Sequence, residues 1–179
     1  PPPPILLSSR SRHPSHGTVT GVQTRALPSQ GGQSQSNWNV TFNLLGGTAT
    51  DRSILTGITL HNTTDLSSNC ADISIRYWVT IGTDVELIPL CNNTICSMAT
   101  ISAYTTEALH ADHYLEVTFE PNVALTAGQL LFNFEAHRAD WANLNETTDW
   151  SYPGNALNGS TLDHITVYLQ GTLVWGIEP

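Results

Sequence analysis

From Trp38 onward, apolar and polar positions alternate with a period of two, the signature of strands that bury one face. Ile73, Ile75, Tyr77, Val79 and Ile81 share one side of an extended segment, with Ser74, Arg76, Trp78 and Thr80 on the other. Leu115, Val117 and Phe119 alternate with Tyr114, Glu116 and Thr118. Leu130, Phe132, Phe134 and Ala136 alternate with Leu131, Asn133 and Glu135, and Ile165, Val167 and Leu169 with Thr166, Tyr168 and Gln170. Gly, Asn, Asp and Pro clusters punctuate these runs, and no stretch carries a helical stripe. The pattern predicts strands near residues 38–45, 54–61, 72–81, 98–104, 113–119, 129–136 and 164–175. That is an all-β chain, an antiparallel, jelly-roll-like β-sandwich occupying residues 37–179 as a single domain. Residues 1–36 are rich in Pro, Ser, Gln, Gly and Arg without a sustained period and read as an extended, partly polyproline II linker.

Charge narrows the partners. Only 12% of the 179 residues are charged, and 15 acids against 6 bases give a net charge of −9. No Lys/Arg cluster exists to hold phosphates, so neither nucleic acid nor an anionic membrane is expected as a partner. No run of apolar residues is long enough to span a bilayer. The start, Pro1-Pro-Pro-Pro-Ile-Leu-Leu-Ser8, lacks a basic n-region and a cleavage pattern and reads as a cut within a longer protein. Asn-x-Ser/Thr sequons at Asn39, Asn62, Asn92, Asn145 and Asn158 point to a secreted, extracellular glycoprotein. Three cysteines suit that compartment if two pair. Cys91 and Cys96 form the expected disulfide, because Asn92-Asn93-Thr94 is turn chemistry that folds the chain back; Cys70 is then the odd thiol.

Two C-terminal blocks are more specific: His137-Arg-Ala-Asp-Trp-Ala-Asn-Leu-Asn-Glu-Thr-Thr-Asp-Trp-Ser-Tyr152 and Ile165-Thr-Val-Tyr-Leu-Gln-Gly-Thr-Leu-Val-Trp-Gly-Ile-Glu-Pro179. Three more precede them: Ile58-Thr-Leu-His-Asn-Thr63, Asp72-Ile-Ser-Ile-Arg-Tyr-Trp-Val-Thr80 and Ala111-Asp-His-Tyr-Leu-Glu-Val117. In this order and spacing they resemble the family-3 carbohydrate-binding modules, cellulose-binding β-sandwiches, over roughly Trp38 to Pro179. The resemblance implies a non-catalytic module that sets exposed rings against sugar faces, with polar side chains reaching the hydroxyl rim. Trp141 matches the family's stacking Trp and Trp150 its later aromatic, while Asn133, Glu135 and His137 stand where rim contacts are expected. Glu135 replaces the family's Arg, and the segment Asp84–Cys91 lacks the family's Asp-His and Tyr, so only part of the cellulose strip is carried over. On the opposite sheet the resemblance implies a shallow groove of Arg76, Trp78, Tyr114, Glu116 and Tyr168, all outward by alternation. Such a groove suits a sugar chain, or a Pro-rich linker belonging to the chain itself or a neighbouring subunit. The family's structural calcium maps to Thr80, Asn145, Thr148 and Asp149, with Gly82 in place of a family Asp and Asp84 as a substitute carboxylate.

The seven histidines, His13, His16, His61, His110, His113, His137 and His164, lack metal-ligand spacing and read as solvated or capping groups. No nucleophile elbow or opposed carboxylate pair is present; Glu116 and Glu135 fall on separate rows, so no enzyme activity is expected. The expected function is non-catalytic binding of cellulose or a related wall β-glucan, as a module of a larger secreted glycoprotein. The alternative is a structural matrix, wall or appendage module that uses the same sandwich for protein–protein assembly.

Overall fold

The computed structural model describes residues 37–43, 52–63, 70–90, 98–125 and 129–179, all within one compact unit, Ser34–Pro179. The linker assigned to residues 1–36, and Cys91, Asn92 and Cys96, lie outside the described residues.

The described strands are β1 (Trp38–Asn43), β2 (Ser53–Asn62), β3 (Ile73–Val79), β4 (Leu87–Leu90), β5 (Ala99–Ala108), β6 (Ala111–Phe119), β7 (Gln129–Arg138), β8 (Thr166–Leu169) and β9 (Thr172–Trp175). They form two antiparallel sheets, β1-β2-β7-β4 and β5-β6-β3-β8-β9, packed as a β-sandwich. In β3 and β6 the inner rows are the ones that the alternation selects. Val40, Ile54, Ile58, Leu60 and Ala136 of the first sheet join Ile73, Ile75, Tyr77, Val79, Leu115, Val117 and Val167 of the second in one buried cluster. Each large side chain buried there contributes roughly 1.5–3 kcal/mol relative to exposure.

Three departures from the expected strands have local causes. β4 falls where the sequence reads as a loop. It is only four residues long, contains Pro89 and among the described strands pairs with β7 alone, an edge position that tolerates proline. β5 continues past residue 104 to Ala108, across a bulge between Thr105 and Ala108 that breaks the alternation. The single strand expected over 164–175 is a hairpin. Gln170 and Gly171 turn it with φ of 49° and 76°, the positive pair a two-residue turn requires. Gln170 is held there by its N–H to Asp72 O at 2.7 Å.

The free edge of β1 is covered. Phe42 N–H donates to Ser160 O, Gly159 N–H to Phe42 O and Leu162 N–H to Val40 O, so residues 159–162 satisfy groups that would otherwise template a foreign strand. The first sheet therefore presents one broad outward face, along which β7 is flanked by β2 and β4.

Candidate functional site

On that face β7 lays out Leu131, Asn133, Glu135 and His137 in a single row. Leu131 is 64% exposed, Asn133 and Glu135 are half-buried, and His137 is only 5% exposed. The reason is Trp141, whose indole lies over the imidazole with ring centroids 3.6 Å apart and planes 12° from parallel. His137 is therefore covered rather than available as a rim contact, which corrects its expected role. Trp141 itself is 51% exposed, offering its other face outward.

The turn after β7 is built to present that ring. Trp141 adopts φ 55°, a left-handed conformation unfavourable for a bulky residue. Its N–H donates to Arg138 O at 2.9 Å, and His137 Nδ1 lies 2.7 Å from the same oxygen, so the hydrogen must sit on Nδ1. Arg138 grips Asp140 in a fork, Nε to Oδ1 at 2.9 Å and Nη2 to Oδ2 at 2.7 Å, while Asp140 Oδ1 also accepts Ala142 N–H. The guanidinium, with that N–H, holds the Asp140 carboxyl at about 2, below the ordinary carboxylate range. β4 supplies Ile88, paired in register with His137, and β2 supplies Ser53 on the other side. Sequence reasoning missed Ile88; the apolar run Leu87-Ile-Pro-Leu90 was the available signal.

Trp150 does not join this face. Its indole is sandwiched between His164 (4.0 Å, 12°) and His110 (5.2 Å, 8°), and its Nε1–H donates to Ile177 O. Both ring faces are occupied, so stacking on a sugar, expected of Trp150, is not open to it. It lines a crevice of about 640 Å³ with Thr80, His110, Asp149, Tyr152 and His164.

The groove residues do come together on the outward face of the second sheet. Arg76 bonds Glu116 at 2.9 Å and lies 4.4 Å from the Tyr168 ring centre, 4.6 Å from Tyr114 and 5.8 Å from Trp78. The floor is closed, however. Trp78 (4% exposed) donates through Nε1 to Thr166 Oγ1, and Tyr168 (5%) donates to Glu178 Oε1 at 2.6 Å. What remains open is Tyr114 and its stacked neighbour Tyr104, 5.2 Å away, which the sequence reading did not include.

The five residues matched to calcium do not form a coordination shell. Thr80 Oγ1 donates to His110 O, Thr148 Oγ1 donates to Asn145 O, and Asn145 Oδ1 accepts from Thr147 N and Oγ1. Asp84 lines a separate cavity with Glu86 and His113. Among the described residues no three His, Cys, Asp or Glu side chains are grouped for a metal. The Asp149 carboxylate is buried and accepts Thr80 N–H at 2.8 Å. Burial, against that hydrogen bond and with the neighbouring Glu146 and Asp112 charges, pushes it up to about 8. Burial alone raises Glu146 to about 7. Calcium needs six or more oxygens, and this donor set does not fit it.

The histidines also differ from expectation. His113 is buried on the inward row of β6, bonded through Nδ1 to Asp112, whose carboxylate also accepts Ile81 and Gly82 N–H. Of the sequons, Asn145 and Asn158 are exposed, and Asn39 is half-buried with Oδ1 lacking a donor. Asn62 is buried at 5%, leaving no room for a glycan on the folded chain. Cys70 is a free, buried thiol.

Comparison with known proteins gives a consistent match. The family model described as a cellulose binding domain, CBM_3, covers residues 39–176. Endoglucanase 5 of Pectobacterium carotovorum is 31% identical over an alignment of 151 residues that covers 72% of this chain and 27% of that protein. A xyloglucanase of Paenibacillus is 32% identical over an alignment of 149 residues that covers 79% of this chain and 14% of the relative. The chain thus spans only a minor part of both. Among solved structures, the CBM3b of the major scaffoldin subunit ScaA from Acetivibrio cellulolyticus superposes with a TM-score of 0.70 at 29% identity, covering 82% of this chain and 99% of that one. A family IIIA CBD from Clostridium cellulolyticum gives 0.67 at 29% identity, with 80% and 98% covered.

Proposed function

Because the chain belongs to the family-3 carbohydrate-binding modules, the cellulose binding domains, we propose that Trp141 and the outward row of β7 are the face with which it holds cellulose. Modules of this family are non-catalytic and bind cellulose as parts of larger cellulases and scaffoldins. The observation that carries the reading is the half-exposed Trp141 ring, backed by His137 and fixed by the Arg138–Asp140 fork. A glucan chain in a crystal shows flat C–H faces, which an indole plane covers, and Asn133 and Glu135, half-buried on the same outward row, are the proposed hydroxyl contacts. Covering about half of a Trp side chain's 150–250 Å² at ~25 cal/mol per Å² amounts to about 2 kcal/mol. Depletion binding on microcrystalline cellulose tests this: Trp141→Ala should bind roughly thirty-fold more weakly. Equal retention of both proteins would overturn the assignment.

Exposed sequons at Asn145 and Asn158 support a place in a secreted glycoprotein, where a tether would raise a partner's local concentration on the polysaccharide. The open Tyr104–Tyr114 pair beside Arg76 supports a second contact, with a Pro-rich segment of a neighbouring subunit. Titrating a Pro-rich peptide should shift the Tyr104 and Tyr114 ring resonances; unchanged spectra would remove this contact.

A further inference from the structure

The least expected feature of the proposed face is a histidine buried on the outward side of a sheet. His137 lies on the solvent-facing row of β7, between Ser53 and Ile88 in register, yet keeps only 5% of its surface. Its Nδ1 is committed to Arg138 O, the acceptor that also takes the Trp141 N–H, so one carbonyl fixes both the imidazole and the backbone that carries the indole. The two rings then meet at 3.6 Å and 12°.

We propose that His137 is a positioning residue for Trp141: its imidazole is a rigid spacer that holds the indole parallel to its own plane and leaves one ring face for the ligand. This rests on the reading of Trp141 as the cellulose contact and gives His137 a role distinct from touching the sugar. A left-handed backbone sets where the Trp141 side chain starts, but not the tilt of its ring. Tilt is set by what lies beneath. With a small side chain at 137, the indole has a void to fall into and a share of its outward face is lost. With a ring there, the plane is fixed before the ligand arrives, and the ordering cost on binding is removed.

The full chain should be compared as wild type, His137→Ala, His137→Gln, His137→Phe and Trp141→Ala, with thermal melts confirming folding. Depletion on microcrystalline cellulose gives affinity. The near-UV circular dichroism difference from Trp141→Ala isolates the Trp141 contribution. Loss of the ring in His137→Ala and His137→Gln should weaken binding by about three- to ten-fold and collapse that contribution, while His137→Phe restores both. Either ringless variant keeping the Trp141 signal and wild-type affinity would overturn the proposal. So would His137→Phe binding as weakly as His137→Ala, which would make the imidazole a direct contact. If Trp141→Ala binds like wild type, the cellulose reading fails instead, and the near-UV signal still decides whether His137 orders the ring.

Discussion

Gly176 gives the sharpest test of how the C-terminus is locked onto the sandwich. It sits just after β9 with φ +91°, and a Cβ there would lie 2.4 Å from Ile165 O and 3.0 Å from the Thr166 Cα, both backbone atoms that cannot rotate away. Downstream, Ile177 N–H donates to Asp163 O at 2.7 Å, Ile177 O accepts the Trp150 indole N–H, and Glu178 accepts the Tyr168 hydroxyl. Gly176→Ala would add about 1–2 kcal/mol of left-handed strain and force the chain outward. Weakening two or three of these hydrogen bonds costs about 1 kcal/mol each, for about 3–5 kcal/mol in total. At about 2–4 °C per kcal/mol for a chain of this size, the melting midpoint should fall by about 10 °C. Gly171→Ala is the control: φ is +76° but nothing lies within 4 Å, so only the strain applies and the drop should be about 2–8 °C. Calorimetry on the two variants decides. If Gly176→Ala melts with Gly171→Ala, the close approach to Ile165 does not constrain the fold and the reasoning fails.

Ser151 should be nearly as costly despite its size. Its buried Oγ accepts Trp78 N–H at 2.8 Å and donates to His164 O at 2.7 Å, so Ser151→Ala strands two groups and should cost about 2–3 kcal/mol by urea titration; a loss below ~0.5 kcal/mol would refute it. Stability should also decline with pH. Glu146 and Asp149 hold protons in the folded state up to about 7 and about 8, whereas unfolded carboxyls release them near 4, so stability is full in acid and lost as pH rises through those values. Asp149→Asn should flatten that decline, and an equally steep profile would argue against the buried pair. Because the matched oxygens are already hydrogen-bonded, chelation with EDTA should leave the melting midpoint unchanged, and a marked drop would restore the calcium site. Trp150→Ala should lower the melting midpoint while keeping wild-type cellulose retention, since its ring faces are taken by His110 and His164.

The alternation over Ile73–Val79 and Leu115–Phe119 was sufficient to assign which side of each strand is buried. A residue's side of a strand is local geometry, and burial of the apolar side follows from it. The same rule placed Trp78 and Tyr168 outward, and they are, but it could not reveal that Thr166, Arg76 and the terminal Glu178 would close over them. β4 escaped because four residues containing proline carry too little period to register. Its pairing depends on β7, distant in sequence.

The limit of sequence is clearest in two Asp-Trp pairs nine residues apart. Asp140-Trp141 and Asp149-Trp150 look alike as text, and both indoles could equally be stacking platforms. Tertiary contacts separate them. Asp140 meets Arg138 in solvent and its Trp projects from the sheet, whereas Asp149 is buried on the Thr80 amide and its Trp is enclosed by histidines from residues 110 and 164. Periodicity decided the class of fold, and the resemblance of the short sequence blocks to the family implied the kind of surface. Which ring is left open was decided only where distant segments pack, because exposure depends on neighbours that the local chain does not contain.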